Sequence, residues 1–291
     1  MKKTFLMCEP KFYDVNYIIN PWMEYNVGNV DRQLAHQQWK NLHAIVSNLA
    51  DVKLIDQAPG LPDMVFTANA GLVFPDLGYV WLSRFSKPER RGEERLFAGW
   101  FIAEGFDIIA QPPGATEFFE GAGDALVDIN GEYWVGYGLR SSERAINTLI
   151  KFFNNRKFHP LELIDPRFYH LDTCFAPLSK GHCLWYPEAF TTAAYWGVAM
   201  RNGRGSGVLA EPQDVVEAFE YAPDMLIDVE LKDALQFACN VLCIDDVVIM
   251  PTCSDNLKKQ VEELGYQVIF VDLSEFIKAG GAAKCLTLQI R

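Results

Sequence analysis

The chain has no Cys-x-x-Cys pair, no apolar run approaching a membrane span, no low-complexity linker and no excess of basic charge. Each absence removes a class of protein. Its seven cysteines form neither a zinc pattern nor a disulfide framework, and they fit a reducing, cytoplasmic setting. Cys239 and Cys243 lie four apart beside Leu and Val and read as buried core thiols. Lacking an uninterrupted run of about 18 or more apolar residues, the chain is expected to have no membrane span. The beginning, Met1-Lys2-Lys3-Thr4-Phe5-Leu6-Met7-Cys8-Glu9-Pro10, carries positive charge, but its apolar stretch is too short for a signal peptide. Only 26 Lys and Arg stand against 38 Asp and Glu, a net charge of −12. That balance argues against nucleic acid and anionic membranes as partners, and it leaves a small cationic substrate unrepelled.

What is present suits a sizeable core, in one large domain or two small ones. Apolar residues make up 49% of the 291, with 20 Phe, 11 Tyr and 7 Trp, so the chain has the means to fold as one domain over 1–291. Asn69, Glu120 and His170 punctuate it at spacings of 51 and 50 residues. Each opens a stretch of apolar residues broken by a turn, which points to a repeat whose units present their first residue at one shared place.

The repeat reads strand, turn, strand, helix, strand. After Gly123, Ala125, Val127 and Ile129 alternate into the hairpin signal Asn130-Gly131, and Tyr133, Val135 and Tyr137 return. A helix from about Ser142 to Phe153 follows, and His159 to Ile164 closes the unit. A second unit runs from Asn69 through a helix near Glu93–Glu104 to a strand at Asp107–Ala110. The His170 unit takes the helix Pro212–Tyr221 and the strand Met225–Val229. Another combines the strand pair Ala238–Met250, a Ser254-capped helix ended by Gly265, and Tyr266–Val271. The fifth is stitched from both ends: Cys285–Ile290 with Phe5–Cys8, helix Gln33–Leu49 and strand Val52–Ile55. Five ββαβ units predict an α/β fold closed around a central cavity.

Several residues carry chemistry. Cys285 follows a glycine pair in Lys278-Ala-Gly-Gly-Ala-Ala-Lys-Cys285 and begins the split fifth unit. There it is either a core thiol or a nucleophile, which would require thiolate character. His170 is a candidate for proton transfer. Asp172, two residues on, would share a strand face with it, to orient His170, grip a cation or face solvent. Glu120 precedes Gly121-Ala122-Gly123-Asp124, which matches neither phosphate-loop nor dinucleotide patterns. Arg90, in an arginine-dense segment running from Arg84 to Arg95, and Arg140 are either solvated charge or carboxylate clamps.

Taken together, Phe66-Thr-Ala-Asn69, Phe119-Glu120-Gly-Ala-Gly-Asp124, His170-Leu-Asp172 and Gly280-Gly-Ala-Ala-Lys-Cys285 resemble the guanidino-group modifying superfamily. This includes arginine deiminases, dimethylarginine dimethylaminohydrolases and amidinotransferases. The resemblance spans essentially the whole chain. It implies a five-bladed α/β propeller, the pentein fold, working with neither metal nor cofactor. Cys285 would then be the nucleophile, Glu120 and His170 the acid and base pair, and Asp172 a guanidinium anchor. Arg90 and Arg140 would hold the substrate α-carboxylate, with Asp63 and Phe66 as further substrate contacts.

Asn69 departs from the carboxylate common in deiminases and dimethylaminohydrolases. With Ile19-Asn20-Pro21-Trp22-Met23 and the stretch from Arg84-Phe85 to Glu94, it makes the chain look most like arginine dihydrolases, in which Asn20 would touch substrate. Members of that group often carry an additional C-terminal domain. The activity so implied is hydrolysis of the arginine guanidinium through an amidino-thioether on Cys285, yielding ornithine, ammonia and CO2. A deiminase, a dimethylaminohydrolase and an amidinotransferase are the alternatives, along with a non-enzymatic ribosome-binding relative of the same fold. The expected partner is a small molecule, arginine or a substituted arginine; composition leaves the oligomeric state open.

Overall fold

A computed structural model describes residues 2–111, 116–191 and 225–291. These residues form five sheets of three strands each. In every sheet the middle strand pairs antiparallel with one neighbour and parallel with the other. The antiparallel pair is a hairpin in four sheets. In the fifth, β15 (Leu288–Gln289) pairs with β1 (Thr4–Cys8), so the two ends of the chain share a sheet, which β2 (Asp51–Ile55) completes.

The remaining sheets follow in sequence order. They comprise β3 (Gly71–Phe74), β4 (Tyr79–Leu82) and β5 (Asp107–Ile109); then β6 (Ala125–Val127), β7 (Tyr133–Tyr137) and β8 (Phe158–Glu162). Next come β9 (Phe175–Pro177), β10 (Cys183–Trp185) and β11 (Leu226–Asp228), and last β12 (Leu242–Ile244), β13 (Val247–Met250) and β14 (Gln267–Phe270). The expected helix at 212–221 lies outside the described residues.

Among the described residues helices supply four of the parallel crossovers, and their ends are set by local chemistry. Helix Arg32–Leu49 starts where Asp31 Oδ1 accepts from Leu34 N at 2.9 Å, and it buries Ala35, Trp39, Leu42 and Val46 along one stripe. Ser142 caps Glu143–Phe152 and Ser254 caps Asp255–Glu263, each through its hydroxyl at 3.3 Å. Helix Arg91–Ala103 follows the turn holding Arg90. β1 is buried at every position, whereas the outer strands β2, β5 and β14 are exposed or half-buried almost throughout, so in these sheets the core lies toward the first two strands. No helix among the described residues is long and apolar enough to cross a membrane.

The repeat has a different phase from the one the spacing suggests. Phe66, Glu120 and His170 each precede a single 3-10 turn that leads into the first strand of a sheet. Asn69 lies three residues into its turn, where its N–H donates to Phe66 O at 3.1 Å. Thr173 does the same to His170 O at 3.1 Å, and Asn240 to Phe237 O at 2.9 Å. Asn69 is therefore the counterpart of Thr173 and Asn240. Two further expectations change. Asp172 belongs to the 3-10 turn Leu171–Thr173, so strand alternation does not aim it with His170. Cys285 does not begin a strand; it sits in the turn before β15.

Candidate active site

The turns before the first strands converge on one pocket. Eight of the ten residues singled out in the sequence line it: Asn20, Asp63, Phe66, Asn69, Arg90, Arg140, His170 and Cys285, together with Ile19, Met23, Tyr169 and Ala279. The other two stand immediately behind. Glu120 Oε2 lies 2.8 Å from His170 Nε2, and Asp172 lies 3.3 Å through Oδ2 from the Cys285 sulfur. All ten are buried.

Glu120 is a hub. Its Oε2 also accepts from Arg140 at 3.1 Å, and its Oε1 accepts from the N–H and hydroxyl of Ser86 at 3.0 and 2.7 Å. Burial alone would raise its carboxyl, but Arg140 and His170, with Arg90 behind, hold it well below the ordinary range. Glu120 is thus a fixed negative charge facing the His170 ring.

Cys285 has the opposite electrostatics. Burial first, then the Asp172 carboxylate, pushes its thiol well up. Burial also pushes Asp172 up to about 6, with Lys284 pulling it back. Two acids packed together with few donors stabilise their anions poorly, so a cation beside them is what would make both ionise.

Around this pair the side chains are held by specific bonds. Arg90 forks onto Glu93 at 3.0 and 2.8 Å, donates to Asn69 Oδ1 at 2.8 Å and to Asp63 O at 3.1 Å, and stacks on Phe85 at 4.4 Å. The Asn69 amide is oriented from both sides, since its Nδ2 donates to Glu120 O at 3.0 Å. Arg140 donates to Ile19 O at 2.9 Å and lies 4.5 Å over the Tyr169 ring. Asp63 accepts from the Tyr17 hydroxyl at 2.9 Å through Oδ2, while its buried Oδ1 has no partner among the described residues. A buried acceptor left open in a pocket is the counterpart of a ligand donor. Asn20 caps the turn Pro21–Met23 through Trp22 N and donates to Ala279 O, so its side chain is built into the wall.

Two glycines are required by close approach. A Cβ on Gly281 would stand 2.4 Å from Phe66, and one on Gly123 would stand 2.3 Å from Asn69 Nδ2. The sequence reading missed Asn240, whose Nδ2 donates to the Cys285 sulfur at 3.1 Å and to Asp172 O at 2.9 Å. It also missed Glu93 behind Arg90, and Asp124, which accepts from Leu171 N and from Ser141. The turn phase shared with Asn69 was the available signal for Asn240. Of the two presumed core thiols, Cys239 is buried and Cys243 half-buried. No group of three His, Cys, Asp or Glu side chains among the described residues is arranged to hold a metal ion.

Residues 16–291 match the family model described as "N,N dimethylarginine dimethylhydrolase, eukaryotic". The bifunctional arginine dihydrolase/ornithine cyclodeaminase ArgZ of Synechocystis is 45% identical over 98% of this chain, and the chain spans 37% of that relative's length. An N(G),N(G)-dimethylarginine dimethylaminohydrolase of Mycobacterium tuberculosis is 36% identical, covering 99% of this chain and 86% of the relative. The crystal structure of the N-terminal domain of ArgZ bound to product, an arginine dihydrolase of cyanobacteria, superposes with a TM-score of 0.89. It is 43% identical and covers 100% of this chain and 98% of that one.

Proposed function

The chain belongs to the dimethylarginine dimethylaminohydrolase family of guanidino-group modifying enzymes, and from that premise we propose that it is an arginine dihydrolase. Arginine and two waters give ornithine, two ammonia and CO2. We also read the five sheets as the blades of a five-bladed propeller, closed where β15 joins β1, with residues 1–291 as one domain.

The observation that carries the reading is the arrangement around the pocket. His170 and Cys285 line it, and their acidic partners Glu120 and Asp172 are buried directly behind them. The arginine guanidinium enters beside Cys285 and Asp172, and its charge favours thiolate and carboxylate together. Arg90 and Arg140 face the α-carboxylate, and the open Oδ1 of Asp63 accepts a substrate N–H. Cys285 sulfur attacks the guanidinium carbon, and His170 delivers a proton to the departing ammonia. The resulting amidino-thioether is hydrolysed by a water that His170 deprotonates, with thiolate leaving and a ureido group formed.

A second round requires the neutral ureido product to stay. Asn69 favours this, because its Oδ1 is held by Arg90 and its amide nitrogen can donate to the ureido oxygen. Attack by Cys285 then releases ornithine, and the S-carbamoyl group is hydrolysed to ammonia and CO2. Support also comes from the 45% identity to ArgZ along nearly the full chain.

Quantifying ornithine, citrulline and ammonia after incubation with arginine tests the assignment. Two ammonia per ornithine is expected. One ammonia per citrulline would make the chain a deiminase, and dimethylamine from methylated arginine a dimethylaminohydrolase. Turnover surviving Cys285→Ser would remove the nucleophile assignment.

A further inference from the structure

A second cavity shares no lining residue with the pocket just described. Its volume is about 320 Å³, within the span of roughly 300–1,000 Å³ typical of small-molecule sites. All five sheets contribute to its wall, for example through Phe5, Leu72, Ala125, Phe175 and Leu242. Lys284 is the one charged side chain among the residues that line it. Consecutive residues thus serve different cavities: Cys285 faces the first and Lys284 the second.

Lys284 is half-buried. Among the described residues its Nζ has no hydrogen-bond or ion-pair partner, although its backbone is tied to Asn240 O. An ammonium partly withdrawn from water beside mostly apolar side chains gains from an anion that pairs with it, and burial lowers its pKa. Asp172 attracts it only from beyond ion-pair distance.

We propose that this second cavity is a binding site for a small aliphatic monocarboxylate, whose carboxylate pairs with Lys284 and whose chain lies against the apolar walls.

Isothermal titration with hexanoate, hexanol and hexylamine tests this directly and does not depend on the assigned reaction. Saturable one-to-one binding of hexanoate is expected, with hexanol weaker by about tenfold or more, the loss of one charge-assisted contact, and hexylamine silent. Lys284→Gln should weaken hexanoate to the level of hexanol. Ala176→Phe, which fills the cavity from β9 and leaves Lys284 in the sequence, should abolish binding. Arg140→Gln, which alters only the first pocket, should leave it intact. Hexanol binding as tightly as hexanoate would overturn the proposal, as would binding lost in Arg140→Gln and kept in Lys284→Gln. No heat from hexanoate with the folded wild-type protein would overturn it as well.

Discussion

Asn240 grips Cys285 at both ends of its carboxamide: Nδ2 donates to the sulfur at 3.1 Å, while Oδ1 accepts from the Cys285 N–H at 3.1 Å. Oδ1 also accepts from Ala282 N at 2.9 Å, so one side chain fixes the loop and the thiol together. The two ends are separable by substitution. Asn240→Ala strands two buried N–H groups and should destabilise the fold by about 2–4 kcal/mol. Asn240→Asp keeps the acceptor but sets a carboxylate against the sulfur and Asp172. It should lose far less stability than the Ala variant while losing at least about a hundredfold in kcat, a fall within the reach of one positioned electrostatic contact. Thermal melts and steady-state rates on both variants check this; parallel losses in the two would refute the division of roles.

Asn240 also marks the limit of what could be read in advance. The hairpins, caps and helix stripes were legible because each is local: Ser142 and Ser254 cap helices, and Ala35, Trp39, Leu42 and Val46 repeat at helical spacing. Whole motifs carry eight of the ten expected residues to one pocket. Phase was not legible, because counting from Asn69 ignored which residue starts the 3-10 turn. Phe66, an apolar residue, holds the position that Glu120 and His170 hold, so a search for polar repeats passed over it. Strand alternation would set Asp172 on one face with His170, whereas the 3-10 turn brings it to the Cys285 sulfur. Pairing across 113 residues is set by tertiary packing, which no local pattern encodes.

Glu93 supports Arg90 from outside the pocket. Both are buried to within 3% of full exclusion, with a two-point contact at 3.0 and 2.8 Å. Glu93→Gln keeps the shape and removes the charge, so Arg90 loses its orienting partner while remaining in place. The KM for arginine should rise by about tenfold, with kcat changed less, because Arg90 is assigned to carboxylate binding rather than bond breaking. A fall in kcat at constant KM would contradict that assignment.

The Asn69 amide bridges Arg90 and Glu120 O. Asn69→Asp retains the contact to Arg90 and sets a carboxylate oxygen against the Glu120 carbonyl, 3.0 Å from where Nδ2 now donates. The variant should release more citrulline per ornithine than the wild type. Gly123→Ala provides an independent route to the same result, since its methyl would displace the Asn69 amide. Product ratios at equal arginine consumption measure both, and an unchanged ratio in both would mean that Asn69 does not govern how far hydrolysis runs.

Stability and activity should depend on pH with opposite signs. Burial first, against partial compensation from neighbouring charges and hydrogen bonds, raises Asp172 and Asp124 to about 6. A raised carboxyl binds its proton more tightly in the folded state. Its contribution to stability is complete below the unfolded value and is lost as pH rises through the folded one. Glu120 is lowered, so its contribution is present above the ordinary glutamate value and fails only in stronger acid. The melting temperature should therefore be highest near pH 5 and fall toward pH 7.5. Asp172→Asn should flatten the decline by an amount on the order of 2 kcal/mol. Arginine turnover should instead rise through about pH 6, where Asp172 ionises to anchor the cation. Scanning fluorimetry and kcat/KM over the same buffers give both curves, and curves rising together would refute the assignment of Asp172 as a buried, substrate-ionised carboxylate.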